Sequence, residues 1–217
     1  MRPAVVTTVL GLALAVAAPT AWALTRPEAT AGAPVEQALG SPPASPSAAA
    51  SAVLPPVTAR PASPADEPAV TPPVRLRVPG LGVTADVDAM GVQPDGQMAL
   101  PDDVDRVGWY RFGPVPGGDG SAVIAGHVDD RDQGLGAMAP LREAAVGEEV
   151  QVDDGTGTTT RWRVVSRELI EKQVLPLDRL FARNGPPRLT LITCGGPFLP
   201  QFGSYRDNVV VVAESIQ

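Results

Sequence analysis

A proline-rich stretch divides the chain and constrains its fold more than any other feature. Twelve of the 25 prolines fall between Thr25 and Pro73, and Pro, Ala and Ser make up 30 of those 49 residues. The stretch contains no aromatic residue. Such a segment cannot bury enough apolar surface to offset the entropy that ordering would cost. The sequence therefore predicts a disordered stalk over residues 26–73 and one folded domain over 74–217, long enough to hold its own core.

The first 25 residues indicate export. Arg2 gives a positive start, and no charged residue follows until Arg26. The small-x-small pattern at 21–23 fits a cleavage site, whereas the uncharged run is also long enough to span a bilayer. Residues 1–25 are therefore either a signal peptide or a signal anchor with the N terminus inside. Both alternatives place the folded domain outside the cytoplasm, anchored to the membrane or secreted into the cell wall.

Charge and residue counts exclude several classes of function. The net charge of −7 comes from 17 basic and 24 acidic residues, so no basic stripe is available to neutralise the phosphates of a nucleic acid. The chain has one Cys and one His, which rules out an intrachain disulfide and a Cys/His zinc site. No metal or other cofactor is expected.

Short alternating runs, broken by Gly, Asp and Pro, predict a mostly β domain from residue 74 onward. Strands are predicted at 74–78, 83–92, 121–125, 148–153, 159–170, 188–193 and 208–213, and short helices at 138–145 and 176–182. Seven or eight strands with so little helix favour an antiparallel sandwich or a closed barrel.

The residues suited to chemistry lie at strand ends. His127 follows the strand at 121–125, Cys194 follows the strand at 188–193, and Arg206 precedes the last strand. Exported proteins usually pair or avoid cysteine, because an unpaired thiol outside the cytoplasm is open to oxidation. A thiol and an imidazole are the minimal set for acyl transfer, and a guanidinium can hold the developing oxyanion.

These motifs carry a resemblance to a known family. The run TLITC at 190–194 resembles the T-L-x-T-C signature of the sortases, AGH at 125–127 matches their histidine motif, and Arg206 lies at their arginine position. The runs VGWY at 107–110 and YRDNVVV at 205–211 are most similar to class F sortases of GC-rich Gram-positive bacteria.

The resemblance implies an all-β fold with one or two short helices, namely an eight-stranded sortase-type β-barrel. It also implies a cysteine transpeptidase. Cys194 would attack an LPXTG-like sorting-signal peptide of secreted proteins to give a thioester, with His127 as general acid and then base, and Arg206 at the oxyanion or peptide backbone. The acyl group would pass to an amine of a peptidoglycan precursor or another surface protein, or to water.

Three further residues are candidates for supporting roles at the same site. Thr193 and Tyr205 are expected to border the substrate, with Thr193 packing beneath the site rather than reacting. Asp129 is a candidate to orient His127, although a carboxylate in a turn of this kind also serves simply as a solvated group. No metal ligand is predicted.

Two alternatives remain open at this point. A cell-wall transpeptidase of the L,D type would place its cysteine in an S-x-G-C context, which the chain lacks. A stalked, surface-displayed β-domain that only binds a partner would leave Cys194 buried and inert. The accessibility of the thiol separates this second alternative from the sortase interpretation.

Overall fold

Eight strands close into a barrel in the part of the chain that the computed structural model describes, residues 30–40 and 71–216. The strands are β1 (Thr30–Gly32), β2 (Pro73–Val78), β3 (Val83–Met90), β4 (Val107–Tyr110), β5 (Ser121–Ala125), β6 (Asp129–Asp130), β7 (Gly134–Leu135), β8 (Glu149–Asp154), β9 (Thr159–Glu171), β10 (Arg188–Leu199) and β11 (Ser204–Ile216). The α-helices are α1 (Val35–Ala38) and α2 (Leu177–Leu180), and 3₁₀ turns occupy Pro79–Leu81, Ala139–Glu143, Lys172–Val174 and Pro200–Phe202.

The barrel closes because the first and last strands of the sheet pair with each other. The order is β9-β11-β10-β5-β4-β3-β2-β8, and β8 pairs again with β9. The β3–β4 and β5–β10 pairs are parallel, and the other pairs of the barrel are antiparallel. The predicted all-β, eight-stranded barrel with two short α-helices is therefore confirmed.

Alternation along β11 explains how one strand serves two hydrophobic clusters. Val209, Val211 and Ala213 point into the barrel, whereas Val210 and Val212 pack outside it with Leu180 of α2. Every residue from Val209 to Ala213 is buried. This strand has an unbroken apolar sequence because the sheet is covered on both faces along this part of β11. Cys194 of β10 lies two residues after Ile192, which packs in the outer cluster, so it belongs to the same outer face.

The predicted elements match the structure most closely where alternation is regular. The last two strands are longer than predicted, and the helix predicted at 138–145 is the 3₁₀ turn Ala139–Glu143 with Pro140 in its first turn. Strand β4 has no counterpart among the predicted strands. Its four residues are buried except for the last, and Gly108 interrupts any alternation.

The segment at 30–40 differs from the expected stalk. Strand β1 pairs antiparallel with β9, from Thr30 opposite Glu168 to Gly32 opposite Ser166. The Glu168 carboxylate accepts a hydrogen bond of 2.9 Å from the amide of Val35. The composition of the stretch gave no sign of this pairing, because the contacts use backbone groups and only a few apolar side chains.

Helix α1 completes the docking of that segment. Val35 is fully buried and Ala38 nearly so, against the outer cluster of Leu180, Val210 and Val212. Residues 26–29, 41–70 and the predicted export segment 1–25 lie outside the described residues. Within residues 30–40 and 71–216, no helix has the length and apolar character needed to cross a bilayer.

Val35→Asp is expected to detach the segment 30–40 while the barrel stays folded. Burying an unpaired carboxylate costs more than the roughly 1.5–3 kcal/mol that a buried valine contributes, so undocking is the cheaper response. Hydrogen exchange should accelerate at the amides of Ser166 to Glu168, which face β1. Gln37→Asp places the same charge on the exposed side of α1 and serves as control. Unchanged exchange in Val35→Asp would show that the docking does not depend on this side chain.

Candidate active site

Cys194 lies on the outer face of the barrel, in the middle of three paired strands. It is paired with Asn208 across β11, and two residues earlier Ile192 is paired with Val210. Ile192 and Val210 belong to the outer hydrophobic cluster, and alternation puts the thiol on the same face. Cys194 is partly exposed and unpaired. The buried, inert thiol of a purely structural domain is therefore not what the structure shows.

The parallel register brings His127 next to Cys194. Ile192 is paired with Ala125 at the end of β5, and the next two residues of each strand lead to Cys194 and His127. Neighbouring strands are about 4.8 Å apart, so His127, two residues past the end of β5, follows the strand that lies beside the Cys194 part of β10.

Two hydrogen bonds join the segment after β5 to β10. The Gly126 amide donates to the Ile192 carbonyl at 3.1 Å, and the buried Thr193 hydroxyl donates to the Gly126 carbonyl at 2.9 Å. A Cβ at Gly126 would lie 2.7 Å from the Met138 side chain and 2.9 Å from that of Val107, so only glycine fits. Thr193 thus packs beneath the site and positions the loop that carries His127.

The hydrogen bond of His127 determines which ring nitrogen carries the proton in the neutral side chain. Its Nε2 lies 3.1 Å from the Pro101 carbonyl oxygen. A carbonyl can only accept, so Nε2 holds the proton and Nδ1 is the basic nitrogen. Within residues 30–40 and 71–216, Nδ1 has no hydrogen-bond partner.

Arg206 lies on the other side of Cys194 from His127, at the start of β11. It falls where the β10–β11 register shifts, between Gly195 and Phe198 of the facing strand. Its Nε and Nη2 donate to the two oxygens of Asp207 at 2.7 and 2.9 Å, and Glu171 lies 3.7 Å away. The hydrogen bond that Arg206 donates to Asp207 raises the pKa of Arg206, so the guanidinium stays charged.

Asp207 is a residue that the sequence analysis did not single out. Its side chain is 2% exposed although it carries the carboxylate that anchors Arg206. Gly196 opposite has φ +71°, and a Cβ there would collide with the Asp207 carboxylate. Adjacent residues on a regular strand face opposite ways, so only the irregular pairing at 195–198 lets Arg206 and Asp207 meet.

Asp129 makes its hydrogen bond with Tyr205. The Tyr205 hydroxyl donates to Asp129 Oδ2 at 2.5 Å. This bond, together with desolvation and the charge of Asp129, raises the pKa of Tyr205. His127 bonds to Pro101 instead, so the structure shows no hydrogen bond between Asp129 and the imidazole.

Two cavities meet at the thiol. The larger, about 710 Å³, has mostly apolar walls, including Met98, Leu100, Leu175, Leu177, Phe181 and Ile192. The smaller, about 310 Å³, lies beside Asp129, Tyr205, Arg142 and Arg167. Thr193 and Cys194 are the two residues that line both. An attacking thiol placed between two cavities can accept a group from one side and pass it to a molecule on the other.

The walls of the larger cavity were not predicted as parts of a site. The loop from Lys172 to Phe181 supplies one wall, and Leu177 is 56% exposed at its rim. One sequence feature could have indicated this wall of the cavity. The short helix predicted at 176–182 is surrounded by more large apolar residues than a surface loop usually contains.

Comparisons with known proteins agree with this geometry. The family model described as Sortase domain matches residues 76–216. Among solved structures, a pilus-related sortase C of Group B Streptococcus is 17% identical, with a TM-score of 0.50 over 70% of each chain. Sortase C2 of Group B Streptococcus pilus island 1 is 19% identical, with a TM-score of 0.51 over 70% of this chain and 77% of that one.

A third structure extends the likeness to another sortase class. Sortase A from Corynebacterium diphtheriae is 16% identical, with a TM-score of 0.50 over 68% of this chain and 62% of that one. No curated protein matches the chain. At such low identities the structural likeness shows the fold alone, whereas the family match covers well over half of the sequence. The chain belongs to the sortase family.

Proposed function

We propose that this chain is an extracytoplasmic cysteine transpeptidase that cleaves an LPXTG-like sorting signal and transfers the cleaved protein to an amine of the cell wall, or to water. One observation carries the proposal: Cys194 lines two separate cavities, and His127 follows the end of β5, which pairs with β10 just before Cys194. A transferase needs this arrangement, because the donor and the acceptor must both reach one reacting atom.

The proposed reaction uses the two nitrogens of His127 differently. Nδ1 takes the thiol proton as Cys194 Sγ attacks the carbonyl carbon of the peptide. The scissile C–N bond then breaks, Nδ1 gives its proton to the leaving amine, and a thioester remains. In the second half, Nδ1 takes a proton from the incoming amine or water, whose nitrogen or oxygen bonds to the thioester carbon. The C–S bond then breaks, and Nδ1 returns the proton to the sulfur to restore the thiol. Pro101 holds the ring in one orientation throughout.

The larger cavity suits the apolar part of a sorting signal. Its leucine and proline would be bound among the apolar residues that line this cavity, which include Met98, Leu100, Leu175, Leu177 and Phe181. Burial of a leucine side chain contributes about 1.5–3 kcal/mol, enough to make this residue the anchor of the signal. Thr193 and Tyr205 border the reacting end.

Arg206 is proposed to stabilise the oxyanion or the peptide backbone, with Asp207 as its anchor. The ion pair occupies Nε and Nη2, and Nη1 has no hydrogen-bond partner within residues 30–40 and 71–216. A guanidinium fixed at two points keeps its remaining donors oriented, which a lysine does not reproduce.

Arg206→Lys is expected to fold normally and to lower kcat/KM for a sorting peptide by about 10²–10³, the usual cost of one preorganised oxyanion donor. If Arg206 served only its ion pair with Asp207 and did not touch the substrate, kcat/KM would change little, because lysine keeps the positive charge beside the carboxylate. Arg161→Lys, at an exposed site on β9, is the matched control. A loss below about threefold would take Arg206 out of the catalytic set.

The enzyme is also assigned a cellular location and a sortase class. The predicted segment 1–25 would leave the enzyme anchored in the membrane with its barrel outside, or secreted into the cell wall. The motifs at 107–110 and 205–211 favour class F. A stalked β-domain that only binds partners is the second candidate, and the partly exposed Cys194 argues against it.

The direct test is to incubate the full chain with Leu-[Pro/Ala]-x-Thr-Gly peptides and to look for an acyl adduct on Cys194 by mass spectrometry. The expected adduct carries the peptide up to threonine and lacks the glycine side. Because the chain has one cysteine, its site needs no further assignment. Peptides that bind without forming an adduct or a cleaved product would favour the binding domain.

A further inference from the structure

We infer that the smaller cavity binds the acceptor amine and that Asp129, held by Tyr205, is the residue that recognises its ammonium group. The inference rests on the proposed function, since it needs an acyl group on Cys194. It assigns to Asp129 a binding role in place of the orientation of His127 considered above.

The position of the cavity follows from the reaction. Transfer to an amine is the reverse of acylation by an amide, so the incoming amine must occupy the side of the thiol from which the peptide amine departs. The acyl part is held in the larger, apolar cavity. The smaller cavity touches it only at Thr193 and Cys194, and so opens on the remaining side of the reacting sulfur.

The charges of the smaller cavity define its ligand. The Asp129 carboxylate lies on one wall, and within residues 30–40 and 71–216 its only hydrogen bond or ion pair is with the Tyr205 hydroxyl. Oδ1 is therefore available to accept from a ligand. The bond with Tyr205 fixes the carboxylate, and Asp129, Tyr205 and Cys194 line the same cavity.

The cationic groups of the cavity are engaged on its other wall. Arg167 donates to the carbonyl oxygens of Arg142 and Ala144, at 2.6 and 2.7 Å, and the Arg142 side chain lies 3.6 Å from the Glu143 carboxylate. The cavity is thus negative at Asp129 and positive at Arg142 and Arg167. A primary amine would enter with its ammonium group toward Asp129.

The ammonium loses one proton to Nδ1 of His127, and the neutral nitrogen forms a bond with the thioester carbon. The C–S bond breaks, and one proton from the nitrogen returns through His127 to the thiolate. The products are an amide and the free Cys194 thiol, and the remaining proton leaves to solvent.

The test compares two nucleophiles on the preformed acyl-enzyme of the full chain. Glycinamide is largely an ammonium ion near neutral pH, whereas hydroxylamine is mostly uncharged and attacks thioesters without needing recognition. Asp129→Asn is expected to raise the KM for glycinamide by about 10- to 100-fold, the worth of one hydrogen bond to a charged group. Acylation by the peptide, hydrolysis and reaction with hydroxylamine should stay as in the wild type.

Two further variants sharpen the comparison. Asp129→Glu should recover most of the affinity for glycinamide, because it restores the charge. Asp130→Asn is the matched control: its carboxylate binds backbone amides of Asp132 and Gln133 in the same loop and does not line the cavity.

Three results would contradict either the role of Asp129 or the proposed function. An unchanged KM for glycinamide in Asp129→Asn would overturn the inference and leave the proposed function intact. Loss of acylation together with aminolysis would also overturn it, in favour of a role in positioning His127. A wild-type chain that forms no acyl-enzyme at all would overturn the proposed function itself.

Discussion

Cys194→Ala is expected to abolish cleavage and transfer while the barrel keeps its fold. Removal of a catalytic nucleophile leaves only the binding and electrostatic contributions of the site, and losses of about 10⁶ in kcat are known for such changes. The thiol is partly exposed at the junction of two cavities, so truncation leaves no sealed void and should cost only about 1 kcal/mol in unfolding free energy. Peptide turnover by mass spectrometry and thermal unfolding measure the two effects separately.

Cys194→Ser is the matched variant for this result. It keeps the size and polarity of the side chain but replaces a nucleophilic thiol with a hydroxyl that lacks its reactivity. Both variants should still bind the peptide in the apolar cavity, which fluorescence anisotropy of a labelled peptide would detect. Cleavage at the wild-type rate in either variant would remove Cys194 from the mechanism and return the chain to the class of binding domains.

The sequence predicts the barrel well where alternation along a strand is long and regular. Strand β9, for example, begins where the pattern begins and ends one residue beyond it. The buried apolar runs before His127 and Cys194 were readable, and a parallel register aligns them. The predicted strand ends were correct only for His127, because β10 continues past Cys194 to Leu199 and β11 begins at Ser204, before Arg206. Strand β4 was not predicted because it has only four residues, one of them a glycine, and so shows no alternation of apolar and polar side chains.

Features that depend on tertiary contacts could not be predicted from the sequence. The segment 30–40 reads as part of a stalk, yet Val35 and Ala38 have the spacing of one helical face and find a covered surface on β11 and α2. The partnership of Arg206 with Asp207 depends on an irregular pairing between β10 and β11. Likewise, the bond between Asp129 and Tyr205 joins residues 76 positions apart.

His127→Ala is expected to lower kcat/KM for an amide sorting peptide by about 10²–10⁴, the usual contribution of a general acid and base. The amine of an amide leaves poorly unless it is protonated, so the loss of Nδ1 acts on the breaking C–N bond. Folding should survive, since the hydrogen bond that His127 makes with Pro101 contributes only about 0.5–1.5 kcal/mol. Thermal unfolding checks this second expectation.

A thioester analogue of the same peptide separates the role of His127 as an acid from its other roles. Its leaving group is a thiolate, which departs without a proton, so the analogue does not need the acid. If Nδ1 chiefly protonates the leaving amine, His127→Ala should acylate with the thioester far better than with the amide. An equal loss on both substrates would mean that His127 acts earlier, by taking the proton from Cys194. Nδ1 would then still be the active nitrogen, because Pro101 holds Nε2 in either case.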